Sequence, residues 1–436
     1  MPRGIGRRWR HPVRVDIIGA GIIGVTTAYE LAALGHEVTV LERRGSVAEE
    51  ASFANAGVIA PGYVTPWAAP GMPFKVLSQL FSRHTPVRLG GAGGLGALAQ
   101  LPWMWRWWRA CRPAIHTANR GAMHRLALFS RERLLELTRV LRLDYEQNPG
   151  FMVLLRSERD LHGVQGSLAL LRELAVTHDV IDAARARQLE PGLHPETALH
   201  AAIHLPQDGA GNCRHFAHLL KTEAQRLGAS FRFDTTVHGL SPGARPALQL
   251  AGGERREADA VVVCAGVQAN DLLASIGCGL PLAPVHGYSV TAPLRHLDGH
   301  PHLGPRAALM DERYKVAITR LGQRMRVAGS AELGGPLGRM NPAALRTLYK
   351  VLDDWFPGAT LAREVQQWKG ARPMLPDGPP VLGESGAPGI WLNLGHGSSG
   401  WALACGSARV LAEQLSGRAA PLDISRLTVA RLRGRG

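Results

Sequence analysis

The chain has 436 residues, of which 45% are hydrophobic and 19% charged, with a formal net charge of +15. Such a composition excludes a disordered chain, and the length suffices for two domains or one elaborated domain. Five widely spaced cysteines (Cys111, Cys213, Cys264, Cys278, Cys405) without a CxxC pair exclude a zinc ribbon or a disulfide framework built from local sequence, and predict reduced thiols in a cytoplasmic protein.

The positive charge gathers at the ends. Residues 1–14 carry five arginines and no acid, and Arg426, Arg431, Arg433 and Arg435 stand near the other end. This pattern reads as solvated tails rather than a nucleic-acid groove, and no basic strand interleaved with aromatics supports nucleic-acid binding. Residues 1–12 read as a basic extension, with Val13 as an alternative start. No run is apolar enough to span a bilayer; the stretches 272–294 and 385–408 are broken by Gly, Pro, Ser and His.

The first element is a β-branched strand, 13–18, followed by Gly19-Ala20-Gly21-Ile22-Ile23-Gly24 and a helix that Gly35 closes. Gly19 permits the tight turn, Gly21 admits a pyrophosphate close to the backbone, and Gly24 lets the helix lie against the strand. A second strand, 36–41, ends at Glu42, where a carboxylate can accept from ribose hydroxyls. Ile18 to Gly24, Glu42 and the adjoining Arg43 therefore predict a dinucleotide site. This unit alone does not separate FAD from NAD. The following segment, ASFANAGVIAP (51–61), is small and polar where a nicotinamide enzyme would start another crossover helix; Ser52 and Asn55 offer side-chain hydrogen bonds, and Ala56-Gly57 offer backbone N–H groups to a long cofactor.

Residues 74–150 read as helices joined by a glycine-rich loop at 90–96. Within them LPWMWRWWRAC places Trp103, Trp105, Trp107 and Trp108 on more than one helix face. Core packing and contact with a bilayer surface, where Arg106 and Arg109 would meet lipid phosphates, are both open for these rings. Residues 151–195 begin with strand-like FMVLL. A helix at 215–227, a strand through ASFRFDTTVHGL and a buried strand DAVVVCAG (259–266) then resume the nucleotide fold, with Ala265-Gly266 as a further close approach. Short strands GYSVTAPL, YKVAITR and MRVAGSAE follow. The fold expected is α/β: a Rossmann-type FAD-binding domain (13–85, 196–275 and 366–436, discontinuous) with a discontinuous α+β substrate domain (86–195 and 276–365).

GAGIIG, SFANAG, PGYVTPWAAPGMP (61–73), DERYKVAITR (311–320), ARPMLPDGPPVLG (371–383) and LGHGSSGWALACGSA (394–408) together resemble the FAD-dependent amine and amino-acid oxidoreductases of the D-amino-acid oxidase type, from about Val13 to Arg431. The sequence departs from that pattern in its basic extension and in Asp16 within the first strand. The resemblance implies non-covalent FAD, with the backbone at Val237 near adenine. It implies oxidative deamination of D-amino acids to 2-oxo acids and ammonia, hydride passing to flavin N5 and electrons onward to a quinone or other respiratory acceptor. A peripheral location on the cytoplasmic face of the inner membrane goes with that acceptor. A sarcosine, glycine or L-proline-type oxidase shares the scaffold and is the nearest alternative; a basic membrane- or polyanion-binding protein without catalysis is the alternative of a different class.

By the resemblance, Arg372 in ARPMLPDG clamps the substrate carboxylate. A guanidinium suits that task because its fork donates two parallel hydrogen bonds and keeps its charge; the structural alternative is an ion pair with Asp377. Gly395, Gly397, Ser398, Ser399 and Gly400 bring backbone to the isoalloxazine, and the helix after them can stabilise negative charge on the reduced ring. His396 is either a donor or a packing residue. Tyr63, Tyr288 and Tyr314 are candidates for the substrate wall, one or two of them functional. No metal is expected: His296, His300 and His302 read as solvent histidines, and Cys264 and Cys405 as core thiols.

Overall fold

The computed structural model describes residues 11–79, 84–90, 100–296, 303–336 and 338–433. Most of the basic extension, most of the glycine-rich loop, His300, His302 and Arg435 lie outside the described residues.

Two large sheets organise the chain. The six-stranded sheet has the order Val381–Glu384, Ile390–Leu394, Ala260–Val263, Arg14–Ile18, Glu37–Leu41, Ser230–Arg232. Its strands run parallel except for the edge pair 381–384 and 390–394. Helices Ile22–Ala33, Cys213–Arg226 and Gly400–Leu415 contribute to one apolar core with it. The ten-stranded sheet is mostly antiparallel and contains the long strands Asn148–Leu155, Ala201–Ala210, Ala283–Pro293, Arg324–Leu333 and Gln366–Met374. Segments 13–85, 196–275 and 366–436 each supply strands to the six-stranded sheet. Each also sends one strand into the larger sheet: Val58–Ile59, Ala201–Ala210 and Gln366–Met374 respectively. Strands from 86–195 and 276–365 pair in the larger sheet alone.

Asp16 does not disturb the first strand. Its register is regular, Val15 opposite Val38 and Ile17 opposite Val40, because Arg256 donates to both Asp16 carboxylate oxygens (Nε 2.7 Å, Nη2 2.9 Å) and to Thr39. A second buried carboxylate, Glu30 on the first helix, accepts from Arg133 (2.7 and 3.0 Å) and Arg409 (3.2 Å), tying helices Ile22–Ala33, Pro113–Leu141 and Gly400–Leu415 together. Removing one partner of such a pair costs about 3–5 kcal/mol, since the other charge stays buried.

The expected single strand through ASFRFDTTVHGL is two. Ser230–Arg232 closes the six-stranded sheet, Asp234 turns the chain at φ +51°, and Val237–Ser241 joins a separate three-stranded sheet. Three of the C-terminal arginines are tied to the fold rather than free tails: Arg426 Nη2 donates to Asn119 Oδ1 at 2.7 Å, Arg431 Nε to Asp377 Oδ2 at 2.8 Å, and Arg433, though exposed, donates through Nη2 to the Ser385 carbonyl at 2.7 Å. In helix Leu101–Ala110 the four indoles divide. Trp103 Nε1 donates to the Met374 carbonyl (3.0 Å) and Trp107 packs near Ala68 and Cys111, whereas Trp105 and Trp108 are 57% and 51% exposed and stack at 5.0 Å.

Candidate active site

The carboxyl ends of strands Arg14–Ile18 and Ala260–Val263 open onto a cavity of about 1780 Å³. Pockets for a single small molecule are roughly 300–1,000 Å³, so this one has room for a long cofactor and a substrate together. Its wall contains Ile18, Gly19, Gly21, Ile22, Ile23, Glu42, Arg43, Ser52, Asn55, Ala56, Gly57, Val237, Ala265, Gly266, Gly395, Gly397, Ser398, Ser399 and Gly400.

Ala20 and Gly24 do not border the cavity; they shape it from behind. The Ala20 N–H donates to Glu42 Oε2 at 2.6 Å, orienting the carboxylate at the end of the second strand. A Cβ on Gly24 would fall 1.8 Å from the Gly19 carbonyl oxygen, so the helix could not start where it does with any other residue. Gly19 has φ +100°, and a Cβ there would lie 2.8 Å from the Cys264 carbonyl oxygen. A helix N-terminus beside a glycine cradle, with an acid at the end of the neighbouring strand, has the chemistry an adenine dinucleotide needs, and these residues fit FAD.

The 51–57 loop is pinned both by cavity-lining residues and by Arg326 and Thr319 behind it. Ile22 N donates to Ser52 Oγ (3.0 Å), Gly57 N to Asn55 Oδ1 (3.0 Å), Arg326 Nη1 to the Asn55 carbonyl (2.9 Å) and Thr319 Oγ1 to the Ala56 carbonyl (2.9 Å). The Gly57 N–H, expected to face the cofactor, is thus engaged within its own loop.

Arg372, on strand Gln366–Met374, also lines the cavity. Its Nη1 donates to the Ser330 carbonyl at 2.9 Å and its guanidinium stands 5.9 Å from the Trp67 ring centre. Burial lowers its pKa to about 10, so it remains a cation at neutral pH. No carboxylate of the described residues pairs with it; Asp377 pairs with Arg431 instead. Trp67 Nε1 reaches Ser398 Oγ (3.1 Å), linking the arginine's aromatic wall to the second glycine-rich turn.

Tyr63 lies in the cavity wall, its phenol donating to Glu312 Oε2 (3.0 Å) and accepting from Lys315 Nζ (3.2 Å). Tyr288 borders the cavity, yet its phenol bonds the buried Glu332 carboxylate, which also receives Lys369 and Asn341. Tyr314 is elsewhere: its ring packs over Arg156 at 5.1 Å, and Arg156 in turn holds Asp311 and Asp354. The tight turn between Ala308–Asp311 and Val316–Leu321 sends Tyr314 toward the core and Lys315 toward Tyr63. His396 borders the cavity with a buried ring. Ser407 Oγ donates to the Leu403 carbonyl, so His396 Nε2 donates to Ser407 (2.9 Å) and Nδ1 is left as an acceptor. Burial pushes the imidazole down to about 3, so it is neutral.

The family model described as FAD dependent oxidoreductase (DAO) matches residues 14–414. The chain belongs to this family. It is therefore an FAD-dependent oxidoreductase, and its glycine-lined cavity has a cofactor to match. A curated D-amino acid dehydrogenase from Bradyrhizobium diazoefficiens is 39% identical over 96% of this chain and 99% of its own length. Among solved structures, glycine oxidase from Geobacillus kaustophilus superposes with a TM-score of 0.75 at 21% identity, covering 97% of this chain and 99% of that one. Iminodiacetate oxidase from Chelativorans sp. BNC1 does so with 0.70 at 22% identity, covering 95% and 98%. These likenesses establish the shared α/β fold.

Gly287, Ser330, Trp67 and Lys315, none of them singled out by a role in the sequence motifs, also line the cavity. A glycine inside a strand signals a close backbone approach and could have exposed Gly287; the register break that brings Ser330 to Arg372 leaves no local signal. Among the described residues there is no cluster of His, Cys, Asp or Glu suited to a metal, and His296 is exposed. Burial pushes the Cys264 thiol up to about 12, and Cys405 likewise upward, making both poor nucleophiles.

Proposed function

We propose that the chain oxidises D-amino acids to 2-oxo acids and ammonia and passes the electrons to a quinone. The observation that carries the reading is Arg372, a buried guanidinium without a carboxylate partner among the described residues, in one cavity with both glycine-rich turns. A buried unpaired cation is costly, and a substrate carboxylate supplies what it lacks. FAD, when bound non-covalently, supplies the two-electron acceptor for the hydride leaving Cα. Residues 13–85, 196–275 and 366–436 would hold it, and 86–195 with 276–365 would complete the substrate wall.

The protein's own part is orientation. Arg372 holds the carboxylate and thereby fixes Cα, and Tyr63, held between Glu312 and Lys315, bounds the substrate on a phenol whose burial raises its pKa and keeps it protonated. The amine must reach the reactive position unprotonated, so that its lone pair can assist departure of the hydride; water then hydrolyses the imine. His396, neutral and with Nδ1 free to accept, serves the cofactor side. The D configuration rests on the 39%-identical dehydrogenase. A glycine, sarcosine or L-proline oxidase remains the competing assignment.

A quinone acceptor places the protein at a membrane surface. No helix of the described residues is long and apolar enough to cross one, but exposed Phe74, Leu77, Leu101, Trp105 and Trp108 accompany Arg106, Arg109 and Arg112, and no Asp or Glu occurs from Ala51 to Arg131. Indoles and arginines without acids suit an anionic interface. Anaerobic mixing of the FAD-loaded protein with D- and L-alanine, D-proline, L-proline, glycine and sarcosine tests the catalytic assignment. Bleaching at 450 nm by D-amino acids is expected; reduction by glycine, sarcosine or L-proline alone overturns it.

A further inference from the structure

Strand Arg324–Leu333 meets Ala283–Pro293 with a break in register. Tyr288 pairs with Gly329 and His286 with Glu332, so Ser330 and Ala331 together oppose Gly287. This is a β-bulge, and Ser330 takes the left-handed conformation, φ +60°, that such bulges ordinarily give to glycine. The bulge turns the Ser330 carbonyl onto Arg372 Nη1 (2.9 Å) and frees the Ala331 N–H for the Pro86 carbonyl (2.8 Å). Opposite it, Gly287 makes the guanidinium's seat: a Cβ there would lie 2.3 Å from Arg372 Nη2.

Nothing in that arrangement requires a side chain at position 330. Glycine would present the same carbonyl without steric cost. The residue is nevertheless serine, its hydroxyl is buried without a hydrogen-bond partner among the described residues, and it borders the cavity that Arg372 lines. Backbone strain and an unsatisfied buried hydroxyl each disfavour the ligand-free fold, and the two coincide on the residue whose carbonyl holds the guanidinium. Such coincidences mark ligand contacts.

We propose that Ser330 is a substrate-binding residue as well as the positioning residue for Arg372. Its carbonyl fixes the guanidinium fork, and its hydroxyl turns about the Cα–Cβ bond to donate to the carboxylate that the fork holds. The inference rests on Arg372 as the clamp. It adds a second donor to that clamp and explains why the strained position is not glycine.

Two variants separate the carbonyl from the hydroxyl. Ser330→Gly keeps the carbonyl and removes both strain and hydroxyl; Ser330→Ala keeps the strain and removes the hydroxyl alone. Each is titrated, FAD-loaded, with pyruvate as a carboxylate probe followed by flavin absorbance, and reduced anaerobically by whichever amino acid of the panel reduces the wild type fastest. Both variants are expected to retain FAD, to bind pyruvate about tenfold more weakly and to show a raised apparent Kd for the amino acid with a smaller change in the limiting rate. Wild-type affinity for both ligands in Ser330→Gly, or in Ser330→Ala if only that variant folds, overturns the proposal. Arg372→Ala in the same titration tells the two failures apart. If it loses pyruvate binding while the Ser330 variants keep it, the hydroxyl has no role; if it too binds pyruvate normally, the clamp itself is wrong.

Discussion

Arg431 donates to Asp377 through Nε at 2.8 Å, and Arg372, five residues before that aspartate, has no carboxylate partner among the described residues. The pairing takes the ion pair with Asp377 away from Arg372, because that aspartate is already neutralised by an arginine from the C-terminal segment. Arg372→Ala is expected to lower kcat/KM by roughly 30- to 1,000-fold, corresponding to about 2–4 kcal/mol of lost binding to an oriented carboxylate, with FAD content unchanged. Arg372→Lys should recover only part of this, since an ammonium lacks the fork. Steady-state kinetics with unaltered constants in the alanine variant would remove the arginine from the site.

Tyr63 and Tyr314 were equivalent candidates in the sequence and are not equivalent in the fold. Tyr63→Phe removes the phenol between Glu312 and Lys315 and is expected to raise KM severalfold at unchanged stability. Tyr314→Leu should leave kcat and KM alone and lower unfolding free energy by about 1–3 kcal/mol, through loss of the ring over Arg156. Urea unfolding and initial rates on both variants check the contrast, which fails if Tyr314→Leu changes KM more than Tyr63→Phe does.

Asp208 is a buried acid beneath the loop that carries Tyr63. The Gly62 N–H donates to its Oδ2 at 3.2 Å, Arg131 lies 3.6 Å away, and burial, outweighing both, raises its pKa to about 7. With an unfolded value near 3.8, the folded state holds this proton more tightly. Its contribution to stability is complete below pH 3.8 and is lost as pH rises through 7. Asp208→Asn keeps an acceptor for Gly62 and carries no charge, so the variant should gain on the wild type by on the order of 4 kcal/mol between pH 4 and pH 8. Thermal melts across that range decide it: a gap between variant and wild type that does not move with pH rules out the raised pKa.

Trp105 and Trp108 stack in solvent on a helix that has no acid. If that face meets an anionic bilayer, the double variant Trp105→Ser/Trp108→Ser should co-sediment at least tenfold less with vesicles containing phosphatidylglycerol, while reduction of the flavin by substrate in solution stays as in the wild type. Equal sedimentation of variant and wild type would assign these indoles no membrane role.

Local signals carried the cofactor half of the protein. Glycines at 19, 21 and 24 act through backbone geometry at one turn and the acid at 42 ends the next strand, so their spacing reports them, while the family resemblance reports the turn at 395–400. The family resemblance likewise rests on short contiguous motifs, and Arg372 sits inside one. Long-range pairing decided the rest. Whether Arg372 is free depends on Arg431, 54 residues from Asp377, and the seat of its guanidinium depends on a bulge between strands whose register no single strand encodes. The same holds for Asp16, an anomaly in its own strand that Arg256 resolves from 240 residues away. Backbone conformation near a turn is a local property of a few side chains, whereas the partner of a buried charge and the register of two strands are set by which distant segments share one core, and that is fixed only when the whole chain has packed.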